Sequence, residues 1–244
     1  MGAENAAARR KSSGGRTLMH SSVPYTLEPG QTGRLIAIAR KRLEQDGTGH
    51  DWDHTERVWR EALNLGRALG GNCAVITAAA LLHDIARPME TAERGRSDHA
   101  ALGAVLAVEI LQREAIGDEA FRNEVAACIR THRFRSRTGE APATLEAQIV
   151  YDADKLDSLG AIGLGRAFHF AGHSGARVHN RAGEALAGEA YGRDDTALRE
   201  YLVKLKQLPE QLLTAPGRTE ALRRRRFMTE FFAELDHECG YDKD

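Results

Sequence analysis

From Arg34 onward, apolar residues recur every three to four positions along most of the chain, and no convincing run alternates apolar with polar residues. That period belongs to helices, so the predicted fold class is all-α. Leu35, Ile36, Ala39 and Leu43 mark a first helix, closed by Gly47 and Gly49. A second opens at Asp51, carries Val58, Ala62, Leu65 and Leu69, and stops at Gly70-Gly71. The stretch Asn72–Pro88 differs from both. Ala74 through Leu82 is apolar or small apart from Thr77, the pattern of a helix buried on nearly every side. It runs straight into His83 and Asp84.

Thr91–Arg96 reads as a loop. Beyond it, Leu102, Leu106 and Ile110 predict a helix capped by Ser97 or Asp98, and Phe121, Val125 and Cys128 predict another after Gly117-Asp118. A basic loop, RFRSRTGEAP, leads into a helix over ATLEAQIVYDADKLDSLG and a Gly-rich helical stretch up to Ala171. Gly172–Gly192 has weak periodicity and reads as a surface excursion. Leu198, Tyr201, Leu202, Leu205 and Leu208 mark a further helix. The last, about Arg218 to Glu238, is expected to bury Leu222, Met228, Phe231, Phe232 and Leu235. Residues 1–33 lack periodicity and are expected to form a disordered or loosely attached tail on a single helical domain, 34–244.

Composition narrows the function classes. A formal net charge of −1 over 244 residues gives no global attraction to nucleic acid or an anionic membrane. The four consecutive arginines Arg223–Arg226 read as a solvated helix face. Three scattered cysteines without a C-x-x-C pair point to reduced thiols. No segment has the length of a membrane span or the apolar core of a signal peptide, so a cytoplasmic protein is expected.

The candidate chemistry lies in polar residues on apolar faces. His54, His83, His99, His132 and Asp154 each fall on, or one turn beyond, the apolar stripe of a different helix, and Asp84 adjoins His83. Any one of them alone reads as a packed, hydrogen-bonded core residue. Five helices each aiming an ionisable group inward argue for a central ion, because uncompensated burial of such groups costs roughly several kcal/mol apiece. Imidazole and carboxylate together suit Mn, Fe, Co, Ni or Zn better than Ca.

The order His54, His83-Asp84, Asp154 resembles the H…HD…D signature of the HD-domain superfamily of metal-dependent phosphohydrolases. The surrounding words are similar too: HDWDHTERVW, AALLHDIAR and YDADKLDSLG. SDHA at His99, THRFR at His132 and DADKLDSLGAIG resemble a bacterial single-HD-domain subfamily that includes nucleoside-triphosphate pyrophosphohydrolases. The resemblance covers about residues 50–172, a metal core, and leaves 173–244 as a C-terminal helical extension.

That resemblance implies an HD-domain helical bundle with additional C-terminal helices. His54, His83, Asp84 and Asp154 would ligate a divalent metal, manganese first, with Mg, Co, Ni, Fe or Zn as alternatives. Metal-bound hydroxide would then hydrolyse a nucleotide, the best match being a (deoxy)nucleoside triphosphate cleaved to monophosphate and pyrophosphate. Asp84, His99, His132 and Lys155 are the catalytic candidates, His99 and His132 alternatively completing a second metal site. Arg87, Arg133, Arg135, Arg137 and Lys155 are candidates for holding phosphate. Arg57 and Asp157, one turn beyond His54 and Asp154, are candidates for fixing ligands in place. Three alternatives stay open: a nucleoside monophosphate phosphatase or phosphodiesterase on the same site, a di-iron oxygenase, and a non-catalytic nucleotide sensor. The expected partner is a small nucleotide; no membrane and no specific nucleic-acid binding is expected, and a homo-oligomer is compatible with the sequence.

Overall fold

The computed structural model describes residues 25–44, 51–93, 96–133 and 140–241. Among these no strand forms, and the elements are helices in the order α1 (Pro29–Leu43), α2 (Trp52–Leu69), α3 (Cys73–Leu82), α4 (Arg87–Ala92), α5 (His99–Arg113), α6 (Glu119–Thr131), α7 (Leu145–Leu156), α8 (Gly160–His173), α9 (Ala182–Ala187), α10 (Ala197–Val203), a 3-10 segment Leu205–Gln211 and α11 (Ala215–Glu238). No helix among the described residues is long and apolar enough to cross a membrane. Gly47, Gly49, Arg135 and Arg137 lie outside the described residues.

The arrangement follows from α3. Every side chain from Ala74 to Leu82 is buried, and the helix runs between two cores. Val75, Ala78, Ala79, Leu81 and Leu82 face one, built with α1, α5 and α6; Ile76 and Ala80 face the other, built with α2, α7, α8, α10 and α11. Its alanines let α2, α6 and α7 approach closely. Asn72 caps it, its side-chain oxygen accepting the Ala74 and Val75 N–H groups, an arrangement worth about 1 kcal/mol.

Four local expectations are corrected. Helix α1 starts at Pro29 rather than Arg34: Glu28 and Gln31 form a capping box, and a proline in the first turn lacks only an N–H that would have no helical partner. Pro88 opens α4, a short helix reaching into the predicted loop. On α5 Ile110 is buried as expected, together with Ala100, Gly103, Ala104, Ala107 and Leu111, whereas Leu102 and Leu106 are only half-buried; small residues bring α5 tightly onto α6. On α11, Met228 and Phe232 are buried whereas Leu222 and Phe231 are exposed, because the helix is covered along one narrow stripe.

Candidate metal centre

Five helix ends meet at one point. His54 lies in the first turn of α2, His83 caps the C-terminus of α3, His99 is the first residue of α5, His132 caps the C-terminus of α6 and Asp154 lies in the last turn of α7. The four histidines and Asp84 are buried. Because α3 stops at Leu82, Asp84 sits in a turn and its two carboxylate oxygens face different partners. Oδ2 is 3.6 Å from His54 Nε2 and 3.5 Å from His83 Nε2. Oδ1 is 3.1 Å from His99 Nε2 and 3.6 Å from His132 Nε2.

Two trios result, His54–His83–Asp154 and Asp84–His99–His132, each with its ligand atoms within 4.8 Å of one another. His54 Nε2 and His83 Nε2 are 3.3 Å apart, as are His99 Nε2 and His132 Nε2. His54 Nε2 is 3.5 Å from Asp154 Oδ1.

The tautomers follow from the opposite ring nitrogens, each of which faces an acceptor. His83 Nδ1–H donates to the Ala80 carbonyl at 2.8 Å, and His132 Nδ1–H to the Ile129 carbonyl at 2.6 Å. These carbonyls belong to last helical turns, where the intrahelical ladder runs out; that of Ile129 also accepts the His132 backbone N–H at 3.4 Å. A histidine at a helix N-terminus has no such carbonyl beside it, since that end presents N–H groups. There a carboxylate is imported. His54 Nδ1–H donates to Asp157 and His99 Nδ1–H to Glu90, both at 2.7 Å. As neutral imidazoles protonated at Nδ1, all four turn Nε2 lone pairs toward one another and toward Asp84 and Asp154. Burial would lower the pKa of His54, but Asp154 and Asp157 outweigh it and raise it. Acceptors meeting at these distances repel unless a cation lies among them. The donor set, neutral imidazole plus carboxylate with the other ring nitrogen hydrogen-bonded, is that of a borderline divalent metal, and both trios could hold one.

The imported carboxylates are clamped alike. Asp157 accepts from Arg57 Nε at 2.7 Å, Arg57 Nη2 at 3.1 Å and Arg166 Nη1 at 2.7 Å. Burial alone would raise its pKa; the bonds from His54 and Arg57 overcome that and hold it at about 2. Glu90 accepts from Arg87 Nη1 at 2.9 Å and from Arg133, and the same balance, with Arg133 and His99 outweighing burial, lowers it. Burial pulls His83 down to about 4, which keeps it neutral. Asp154 is half-buried, which would raise it, yet the Lys155 charge and His54 hold it well below the ordinary carboxylate range. Lys155 Nζ donates to Asp154 at 2.7 Å and to the His132 carbonyl at 3.2 Å.

All of the described candidates thus surround one centre, with Arg87 and Arg133 seated on Glu90 and Lys155 on Asp154. Arg87 reaches it from α4, since α3 already stops at Leu82. Glu90 and Arg166 were missed. Glu90 lies in a stretch without periodicity, and Arg166 in a Gly-rich helix where nothing marks it as inward-facing.

Comparison with known proteins agrees with this geometry: residues 51–159 match the HD domain family. The chain carries an HD domain. Beyond that domain, the Bacillus subtilis protein YpgQ is 28% identical over 216 residues, covering 88% of this chain and 97% of YpgQ. The crystal structure of an HD-superfamily hydrolase from Bacillus thuringiensis superposes with a TM-score of 0.66 at 29% identity, covering 86% of this chain and 97% of that one. YpgQ crystallised in complex with ADP gives 0.66 at 26% identity, covering 85% and 97%. The HD-domain match and the HD-superfamily hydrolase neighbours support a metal-dependent phosphohydrolase.

Proposed function

We propose that the protein hydrolyses nucleotides, and specifically cleaves a (deoxy)nucleoside triphosphate to the monophosphate and pyrophosphate. The observation carrying this reading is the pair of trios with the Asp84 carboxylate between them, one oxygen toward each, and with four histidine Nδ1 atoms hydrogen-bonded on the far side. In it, His54, His83, Asp84 and Asp154 hold one divalent ion, and Asp84, His99 and His132 a second. Such ions, when bound, make water available as a nucleophile near neutral pH and offset charge on a phosphoryl oxygen.

The chain's own residues do the rest. Five cations, Arg57, Arg87, Arg133, Lys155 and Arg166, stand around four carboxylates, Asp84, Glu90, Asp154 and Asp157. With neutral imidazoles and divalent ions added, the surplus is strongly positive and calls for a polyanionic substrate. Lys155, on Asp154, and Arg87 and Arg133, on Glu90, would exchange contacts there for phosphate oxygens as substrate enters. Arg57 and Arg166 fix Asp157 and so the orientation of His54. The ADP complex of YpgQ supports a nucleotide ligand.

The test is product analysis with purified protein and added Mn, Mg, Co or Ni across mono-, di-, tri- and cyclic nucleotides. Release of pyrophosphate and monophosphate, abolished together with metal binding in Asp84→Ala, is the expected result. Orthophosphate from monophosphates, or opening of cyclic nucleotides, would replace the triphosphate reading with phosphatase or phosphodiesterase activity. Normal turnover in Asp84→Ala would overturn the site assignment.

A further inference from the structure

A cavity of about 470 Å³ opens between α2, the start of α8 and α11. Its lining contains none of the residues that form the two trios, but it does contain Arg57 and Asp157, the groups that hold His54. It is therefore separate from the metal centre and one hydrogen bond removed from it.

The walls combine two chemistries. Arg60 and Arg223 stand at the rim, each side chain 70% exposed. Each is paired with a carboxylate on its own helix, Arg60 with Glu56 at 2.8 Å and Arg223 with Glu220 at 2.7 and 2.8 Å. Exposed pairs of this kind are worth about 0–1 kcal/mol, so both guanidinium groups exchange readily onto a phosphate, which they match bidentately. Beside them in the lining Phe227 and Ile162 are 45% and 40% exposed, leaving an aromatic and an aliphatic surface open to a ligand.

The remaining arginine in the lining, Arg224, is fixed by Glu61, by Glu220 at 2.7 Å and by the Leu156 carbonyl at 2.8 Å. It packs on Gly160, whose positive φ of 73° suits glycine and where a Cβ would meet Arg224 Cγ at 3.1 Å. The wall is thus built rather than collapsed. Its volume falls within the range of small-molecule sites, about 300–1,000 Å³. Guanidinium groups next to an exposed aromatic ring suit a ligand that carries both a phosphate and a planar base.

We propose that this cavity is a second nucleotide site, taking a nucleoside phosphate with its phosphate on Arg60 and Arg223 and its base against Phe227. Occupancy is passed to the metal centre because a phosphate in the cavity competes with Asp157 for Arg57. With that clamp loosened, His54 is held less firmly and metal affinity changes.

Calorimetric titration of AMP into Mn-loaded protein tests this. AMP binds wild type, and affinity falls at least about tenfold in Phe227→Ala and in Arg60→Ala/Arg223→Ala, the loss expected for one stacked base or a bidentate phosphate contact. Ribose 5-phosphate binds wild type more weakly than AMP. Saturating AMP shifts the Mn(II) affinity of wild type by at least about threefold but leaves that of Phe227→Ala unchanged, and by reciprocity Asp84→Asn keeps its AMP affinity within that factor. Phe227, Arg60 and Arg223 are exposed, and circular dichroism confirms folding of every variant. Absence of AMP binding, equal binding in wild type and both cavity variants, loss of binding in Asp84→Asn, or an Mn(II) affinity indifferent to AMP would overturn the proposal. Since the readout is binding, failure of nucleotide hydrolysis at the metal centre leaves this test standing.

Discussion

The surroundings of His54 and of His99 use one device on two different foundations. In both, a histidine at a helix N-terminus gives its Nδ1–H to a carboxylate, and two arginines hold that carboxylate. Around His54 the parts stand on α2, α7 and α8, which pack through a shared core of Val58, Ala62, Ile149, Ala153, Leu156 and Leu164. Around His99 the carboxylate stands on α4, a helix of only six residues, and one arginine, Arg133, follows the end of α6. The difference teaches where stability and function part company. Disturbing the first arrangement strains the core, whereas disturbing the second opens a small local unit.

Asp157→Asn and Glu90→Gln break the comparison most sharply. Each removes the carboxylate behind a histidine and should lower metal affinity or activity about 10–100-fold. They should differ in stability. Asp157→Asn leaves Arg57 and Arg166 facing a neutral amide inside the packed core and should cost about 2 kcal/mol, discounted for the partial exposure of both arginines. Glu90→Gln should move the melting temperature far less. Equal destabilisation by the two variants would refute the contrast.

Gly163→Ala asks whether the foundation of Arg166 matters on its own. A Cβ there would lie 2.2 Å from the Ser158 carbonyl oxygen, a backbone atom that cannot swing away. The substitution should destabilise by about 1–3 kcal/mol and weaken metal binding through Arg166 while leaving the His99 side intact. Thermal melts and metal titrations read both effects.

The smallest effect is expected at Glu220, on the α11 side of the His54 arrangement. Bonds from Arg223 and Arg224 hold its carboxyl at about 2, against an ordinary 4.5. A depressed carboxylate stabilises the fold above its unfolded pKa and loses that contribution as pH falls through the folded value. Wild type should therefore melt slightly above Glu220→Gln at neutral pH, with the gap closing between about pH 4.5 and pH 2. A gap unchanged across that window would show that Glu220 acts by shape rather than charge.

The same contrast governs what the sequence revealed. The helices around His54 are long and periodic, so α2 and α7 could be read directly, and Asp157 could be found one turn after Asp154. Glu90 could not, because six residues hold too little periodicity to show which face turns inward. Asp152 carries the complementary lesson. It lies two positions before Asp154 and is equally buried in pattern, yet it accepts the Leu213 and Thr214 N–H groups at 2.8 Å and the Thr214 hydroxyl at 2.6 Å, anchoring the start of α11. Spacing alone separates neither role. The Arg223–Arg226 run read as a solvated face, and two of its arginines line a cavity made by helices distant in sequence, α2 and α8. Local pattern carries no information about such meetings. The H…HD…D order was legible because each of its residues sits at or beside a helix end, where a short word of sequence fixes both the cap and the side chain.

The most direct test of the account is the manganese content of the purified protein, measured per chain after equilibration with Mn(II) and removal of free ions. Two ions per chain in wild type, both lost in Asp84→Asn, is the result predicted by a carboxylate whose two oxygens serve two trios. Manganese content in Asp84→Asn equal to that of wild type would contradict it.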